Sequence, residues 1–565
     1  MPGAAARSAV FAFADRYVSD RAALDPIHAT GIGIEGYDHL LPDFSMRRWE
    51  RDAESSGDAL RQLEGIEPTD DIDRIAKSVM VERLTATLAL EQSGELARTF
   101  SVISSPVTDI RQVFELMRAD TAEDLARIQE RLSAVRTSLS SWRGGLSELV
   151  GTGVVLPRRQ VRGVAAQAAV QAEGAFAGFA AGLEARSQDL AGLRAAAADA
   201  DAACGELAAW LVDDLAGAST DLDAAGPERY ARWSQYFLGA TPELDELYEW
   251  GWQDLQRINS RMRELATGLA PGAASLAEVA AVLDADDKGA IFGTDALIAR
   301  LEAFTAATVE ALDGVHFDID ERIRRCDARI APDGSAAAPY YIAPSEDLSR
   351  PGTTWFPTLG ETRFPWWRLA STWYHESVPG HHLESGNSFL LGDRLSRFQR
   401  LEAWTSGYGE GWALYAERLM DELGAFSEPA VEMGYLCGQG LRAARIVVDL
   451  GLHLGFAAPR DLGTLGDLGD CSGRPWSAEM AVALLVERAL EDHAFALSEV
   501  DRYLGSPAQA ISYKVGERTW LEAREAARQR LGDRFELKRF HAYALGLGPM
   551  GLDPFCDELA RWDGT

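Results

Sequence analysis

The sequence predicts a mainly α-helical protein, and three features of its 565 residues predict it. Apolar residues recur three and four apart, as at Leu125, Ile128, Leu132 and Val135, which puts them on one helical face. Residues 161–216 are rich in alanine, the best helix former, and no proline interrupts them. Cap signals precede the runs: Thr121 with Asp124 reads as a capping box that has Asp where Glu or Gln is usual.

In chain order, Thr69-Asp70-Asp71-Ile72 opens a long helix through Leu90, and the capping box opens the next. The alanine-rich run follows. Pro242-Glu243-Leu244 opens a helix through about Leu269, and shorter helices are expected near 275–285 and 294–312. Then Ile330-Ala331-Pro332, Tyr340-Tyr341-Ile342 and Thr353-Thr354-Trp355-Phe356 stand apart, separated by Gly, Pro and Ser. They predict short strands at about 329–357, the only β-structure expected. Helices resume around His375, from Gly407 to Glu417, through Arg442 to His453, over 487–503 and from Ser512. So long a chain exceeds one ordinary core. It is read as an N-terminal helical half, 1–235, and a second half, 236–565, that form one continuous unit.

The formal charge is −32, from 55 Lys and Arg against 87 Asp and Glu, and it is spread along the chain. Such a field repels nucleic acid and anionic membranes, so neither is an expected partner. Cys204, Cys326, Cys437, Cys471 and Cys556 are scattered and form no C-x-x-C pair, against a disulfide framework or a cysteine zinc site. Arg7 is the one early basic residue and the apolar run after it stops at Asp15, too short for a signal peptide. No stretch reaches transmembrane length. A cytoplasmic, reduced protein is expected.

The chemistry concentrates at residues 374–384, which hold three of the nine histidines. His375-Glu376 with another His close behind is how zinc hydrolases put two ligands and a base on one wall. The usual spacing of four keeps two imidazoles on one face, about 6 Å apart along the axis. His381 and His382 follow His375 by six and seven places, roughly 9 and 10.5 Å of rise on a straight helix, too far for one ion. Pro379 removes a helical hydrogen bond and Gly380 lets the backbone turn. Pro-Gly is therefore read as a two-residue bulge that returns His381 to the second-ligand position. His382 then points away, as a supporting group or a transition-state donor. The plainer alternative is a helix that ends at Pro379, capped by the histidines.

A catalytic zinc takes three protein ligands and keeps one position open. Glu410, at a glycine-flanked helix start, is the expected third ligand, with Glu384 and Glu402 as fallbacks. Glu417, seven residues on, shares the Glu410 face and is expected to support the site from behind. Glu376 is the expected general base towards water. Tyr513 and His453, with His382 and His541 behind them, are candidate donors to a tetrahedral oxyanion. Arg442 and Arg445 are candidate grips for a substrate carboxylate. Each has an ordinary alternative: a first-turn Glu favoured by the helix dipole, a packed Tyr, an Arg paired with an acid such as Asp449.

With these motifs in hand, the chain resembles the bacterial domain-of-unknown-function family 885. The likeness rests on the His-Glu-x-x-Pro-Gly-His-His run, residues 410–417, Arg350-Pro351-Gly352, residues 445–453, residues 507–516 and Phe540-His541. That family is similar to helical zinc peptidases of the gluzincin type. The resemblance implies a large two-lobed helical fold with a deep cleft and a small antiparallel β element before the metal helix. It implies an edge strand near Gly352 and Thr353 to Phe356 that aligns a peptide backbone, and hydrolysis of short peptides with bound zinc. It favours His381 over His382 as ligand. The family usually has Gln where this chain has Glu384, which adds a carboxylate near the metal. The alternatives are a metal-dependent amide or ester hydrolase in the same scaffold, and a catalytically silent peptide-binding protein.

Overall fold

The computed structural model describes residues 8–184, 191–331 and 338–565. Among them lie twenty-three α-helices and five short strands, so the expectation of a mainly helical protein holds. The chain divides into two compact units, Met1–Lys77, Leu84–Ala224 and Leu504–Ser506 in the first, Ser78–Arg83, Ala225–Tyr503 and Pro507–Thr565 in the second.

In the first unit the helix Ala122–Gly151 starts as expected. Thr121 Oγ1 accepts from the Asp124 N–H at 3.1 Å, and Asp124 accepts in return from the Thr121 N–H at 3.0 Å. Its stripe of Ile128, Leu132, Val135, Leu139 and Trp142 is buried in one core with the alanine-rich helices Arg158–Ala172 and Ala191–Trp210. Small side chains let these helices lie close. Residues 185–190 of the alanine-rich run fall outside the described residues.

The second unit carries all five strands: β1 (Ala290–Phe292), β2 (Asp327–Ile330), β3 (Tyr340–Ile342), β4 (Thr353–Phe356) and β5 (Arg363–Pro365). Tyr340–Ile342 and Thr353–Phe356 are strands as expected, whereas of Ile330-Ala331-Pro332 only Ile330 belongs to one, as the last residue of β2; Ala331 lies beyond it and Pro332 is outside the described residues. Three details differ from expectation. β1 and β5 form a further antiparallel pair, too short and too plain in sequence to be read as strands. The larger sheet is mixed rather than antiparallel, since β2 runs parallel to β4 and β3 antiparallel to it. And β4 is the middle strand of that sheet, in the order β2-β4-β3. A middle strand has its backbone paired on both sides, so Thr353 to Phe356 cannot pair with a peptide.

The run 487–503 is two helices, Ala478–Ala489 and His493–Gly505, parted where Leu490 adopts a left-handed conformation at φ +61. No helix among the described residues is long and apolar enough to cross a membrane. All five cysteines are free.

Candidate metal centre

His375 lies near the end of the helix Trp366–Glu376, and His381 opens the helix His381–Leu390. Pro-Gly thus separates two helices rather than bulging one. The turn satisfies its own backbone. Gly380 N–H donates to the Tyr374 carbonyl at 3.0 Å, His382 N–H to Ser377 at 3.0 Å, and the Trp412 indole to Pro379 at 2.9 Å. A Cβ on residue 380 would stand 1.9 Å from the His375 carbonyl oxygen, so only glycine closes this turn. The consequence is the one a bulge was expected to deliver. The imidazoles of His375 and His381 meet at right angles, ring centres 4.8 Å apart.

Glu410 comes from the helix Ser406–Glu422, capped by Thr405. This helix crosses the helix Ser512–Leu531 backbone to backbone. A Cβ on Gly411 would lie 2.5 Å from Gly516 Cα, and one on Gly516 would lie 2.1 Å from the Gly407 carbonyl oxygen. Gly411, directly after Glu410, is therefore required by that close crossing, whereas Gly409 before it makes room for the Trp404 indole, which a Cβ there would approach to 2.2 Å. Glu410 Oε2 ends up 3.2 Å from His375 Nε2 and 3.4 Å from His381 Nε2. His375, His381 and Glu410 together offer three donor atoms within 4.8 Å of one another. Zinc binds such atoms at about 2.0–2.2 Å in a tetrahedron, whose edges are then about 3.3–3.5 Å. Both measured edges from Glu410 match that spacing and the third edge, between the two imidazoles, is within 4.8 Å, so the three side chains converge on one point where an ion would draw the imidazoles together.

Glu417 supports His375 from behind. Its Oε1 lies 2.9 Å from His375 Nδ1, and its other oxygen accepts from the Ser371 hydroxyl. A carboxylate only accepts, so Nδ1 is the donor and Nε2 is the atom turned towards Glu410. Burial disfavours the charged imidazole, yet Glu410 and Glu417 outweigh it and lift His375 to about 9. Burial likewise opposes the Glu410 charge, but His381 and His375 hold its carboxyl well below the usual range. Removing Glu417 as Glu417→Ala is expected to weaken divalent-cation binding about 10–100-fold, read by competition with a chromophoric chelator.

Glu376 is buried beside this set, and burial raises its pKa against the pull of His375 and His381. Its carboxylate makes no hydrogen bond among the described residues. The half-buried Tyr513 lays its ring along that of His375, centres 6.3 Å apart and planes 20° apart. Its hydroxyl also has no hydrogen-bond partner among the described residues. Burial and the Glu410 charge raise its pKa.

Other expected residues lie elsewhere. His453 is buried with both ring nitrogens occupied, Nδ1 accepting from Ala225 N–H at 3.0 Å and Nε2 donating to the Tyr503 carbonyl at 3.0 Å. It ties chain segments together and has no donor left for an oxyanion. His382 is similarly used. Nε2 donates to the Ile323 carbonyl at 2.9 Å and Nδ1 meets the Tyr341 hydroxyl at 3.0 Å, and burial pushes its pKa down to about 4. It is a neutral prop for Tyr341, not a transition-state donor. His541 pairs with the Tyr415 hydroxyl at 2.7 Å. Glu384 stands apart from the three-donor set and accepts from Ser385 at 3.1 Å and Ser388 at 3.4 Å, and burial raises it to about 7. Glu402 is also outside the set. Gly352 clears space rather than lining a substrate path, because a Cβ there would stand 2.2 Å from the Tyr341 hydroxyl and 2.5 Å from His382 Nδ1. Thr353 is buried in the middle strand. Arg445 pairs with Glu499 at 2.7 Å, whereas Arg442 has no carboxylate within 4.0 Å among the described residues.

Two participants were not foreseen. Tyr341 stacks towards His381 with ring centres 6.2 Å apart, but the sequence marks it only as a strand residue. Glu499 pairs with both Arg445 and Arg502 from a helix with no motif to single it out.

Comparison with other proteins bears on the fold. The profile of a family described as "Bacterial protein of unknown function (DUF885)" matches residues 26–559. No curated protein sequence matches the chain. Among solved structures, a candidate lipoprotein from Colwellia psychrerythraea superposes with a TM-score of 0.82 at 19% identity, over 98% of this chain and 99% of that one. A candidate lipoprotein of unknown function from Shewanella oneidensis gives 0.72 at 18% identity, over 97% and 99%. Identities this low speak to the fold alone.

Proposed function

We propose, for a chain that belongs to the DUF885 family of bacterial proteins, a zinc-dependent peptidase that hydrolyses short peptides with Glu376 as general base. The support is Glu376 itself, a buried carboxylate with no hydrogen bond among the described residues, next in sequence to His375 of a set spaced for a tetrahedral ion. Among the described residues no hydrogen bond ties that carboxylate to a structural role, and its charge is favoured only at a distance by His375, His381 and Arg442. When bound, the zinc ion supplies Lewis-acid activation of water and of a carbonyl at the open position.

His375, His381 and Glu410 would hold the ion, and Glu417 would keep His375 in the tautomer that offers Nε2. Glu376, its pKa raised by burial, accepts a proton from water and later returns it to the leaving amine. Tyr513 donates its unused hydroxyl proton as a hydrogen bond to the developing oxyanion. Pairing with an extended peptide falls to β3, an edge strand whose Tyr341 reaches His381, and not to β4.

The test is a tripeptide-mixture digest by zinc-loaded protein, with activity lost to a chelator and restored by zinc. In the same assay Tyr513→Phe is expected to lower kcat about 10²–10³-fold with zinc retained. Zinc uptake with cleavage of acyl amides or esters, but of no peptide, would move the protein to a different hydrolase class. Absence of tight zinc would remove the enzyme altogether.

A further inference from the structure

Three arginines, Arg442, Arg445 and Arg502, act on Tyr513, and their charges are not balanced. The Arg445 guanidinium carbon lies 4.5 Å from the centre of the Tyr513 ring and that of Arg442 lies 5.9 Å from it. One acid, Glu499, serves both Arg445, at 2.7 Å, and Arg502, at 2.9 Å. That leaves Arg442 without an ion pair among the described residues, held only by a bond from its Nη1 to the Gly438 carbonyl of its own helix at 3.2 Å. Two guanidinium donors beside this one ring have no partner: Nη1 of Arg445, whose side chain is more than nine-tenths buried, and the buried Nε of Arg442. In a chain of formal charge −32, carboxylates are plentiful, so a surplus of unmet cationic donors is a specific local arrangement. Arg442 acts at a distance on three acids, Glu417, Glu376 and Glu491, but none of them is within 4.0 Å of it, Glu417 is already engaged by His375 and Ser371, and burial pushes the Glu491 carboxyl up to about 7.

We infer that Arg442, with the free Nη1 of Arg445, binds the terminal carboxylate of a peptide, so that the enzyme recognises and trims the C-terminal end. This rests on the peptidase reading and deepens it by naming which end is held. A guanidinium fork matches a carboxylate in shape and charge. The Tyr513 ring is the spacer between anchor and metal set, since its other neighbour is the His375 ring at 6.3 Å. An extended peptide of up to about three residues covers such a separation. The bond cleaved would then lie one to three residues from the carboxyl end. Arg442 is on this account a specificity residue, and Arg445 remains fixed by Glu499 while offering one nitrogen.

Two measurements test it on the full chain. In the first, zinc-loaded wild-type protein digests a tripeptide mixture supplied as free acids, as C-terminal amides and as N-acetylated acids. Acids and N-acetylated acids are expected to be cleaved alike. Amides are expected to fall about 10–100-fold in kcat/KM, and Arg442→Met to bring acid and amide within about twofold of each other. In the second, zinc-loaded Glu376→Gln protein is titrated with the same acids and amides by calorimetry, and only the acids are expected to bind. Equal treatment of acids and amides in either measurement, a block by N-acetylation, or no binding of any of them overturns the anchor. Acid-selective binding that Arg442→Met abolishes, with no hydrolysis by wild type, would reject the peptidase reading and leave the anchor standing.

Discussion

Glu376→Gln is expected to keep one zinc per chain and to lose turnover by about 10²–10⁴-fold, the usual worth of a positioned general base. The substitution preserves shape and removes only the ability to take a proton. It should be well tolerated by the fold, because the native carboxylate accepts no hydrogen bond that an amide would spoil, and its buried charge disappears. The metal set is untouched, since His375, His381 and Glu410 supply the three donors without it. Elemental analysis and a peptide assay on one preparation are sufficient. Undiminished hydrolysis at full zinc occupancy would dismiss Glu376 as the base.

The second large effect separates the two adjacent histidines. His381→Ala should lose zinc, while His382→Ala should retain it. Dividing the roughly 10–16 kcal/mol of a tightly held zinc among four positions assigns about 2.5–4 kcal/mol to one ligand, or about 10²–10³ in affinity. His381 Nε2 stands 3.4 Å from Glu410 Oε2, whereas both nitrogens of His382 are engaged by Ile323 and Tyr341. His382→Ala should instead cost stability, about 1–3 kcal/mol, by leaving a buried carbonyl without its donor. Zinc titration and thermal unfolding read the two effects apart. The opposite outcome, zinc lost with residue 382 and kept with 381, would exchange their roles.

How much of this was legible beforehand depended on whether the signal was local. Helices announced themselves through periodic apolar residues and caps, and Thr121 with Asp124 is a cap the structure repeats atom for atom. The three-donor set was legible because two of its members lie six residues apart and the third opens a glycine-flanked helix. The break at Pro379 was visible, but its form was not. A bulge and a change of helix both shorten the path between His375 and His381, and spacing alone cannot distinguish them. The role of β4 was missed because strand order is set by distant pairings, here Asp327 with Thr353 and Ile342 with Thr353. His453 looked reactive for the same reason that Arg445 looked free. The partners that occupy them, Ala225, Tyr503 and Glu499, come from remote parts of the chain.

The contact of Gly411 with Gly516 has a bearing on how this centre tolerates change. One helix of that pair carries Glu410, the proposed third ligand, and the other carries the Tyr513 phenol. The gap between phenol and carboxylate is therefore a main-chain dimension, and no rotamer adjustment can restore it once a methyl group wedges the two backbones apart. Ligand field and hydroxyl donor would drift in concert, so drift at residue 516 would damage metal retention and chemistry together while touching neither group directly.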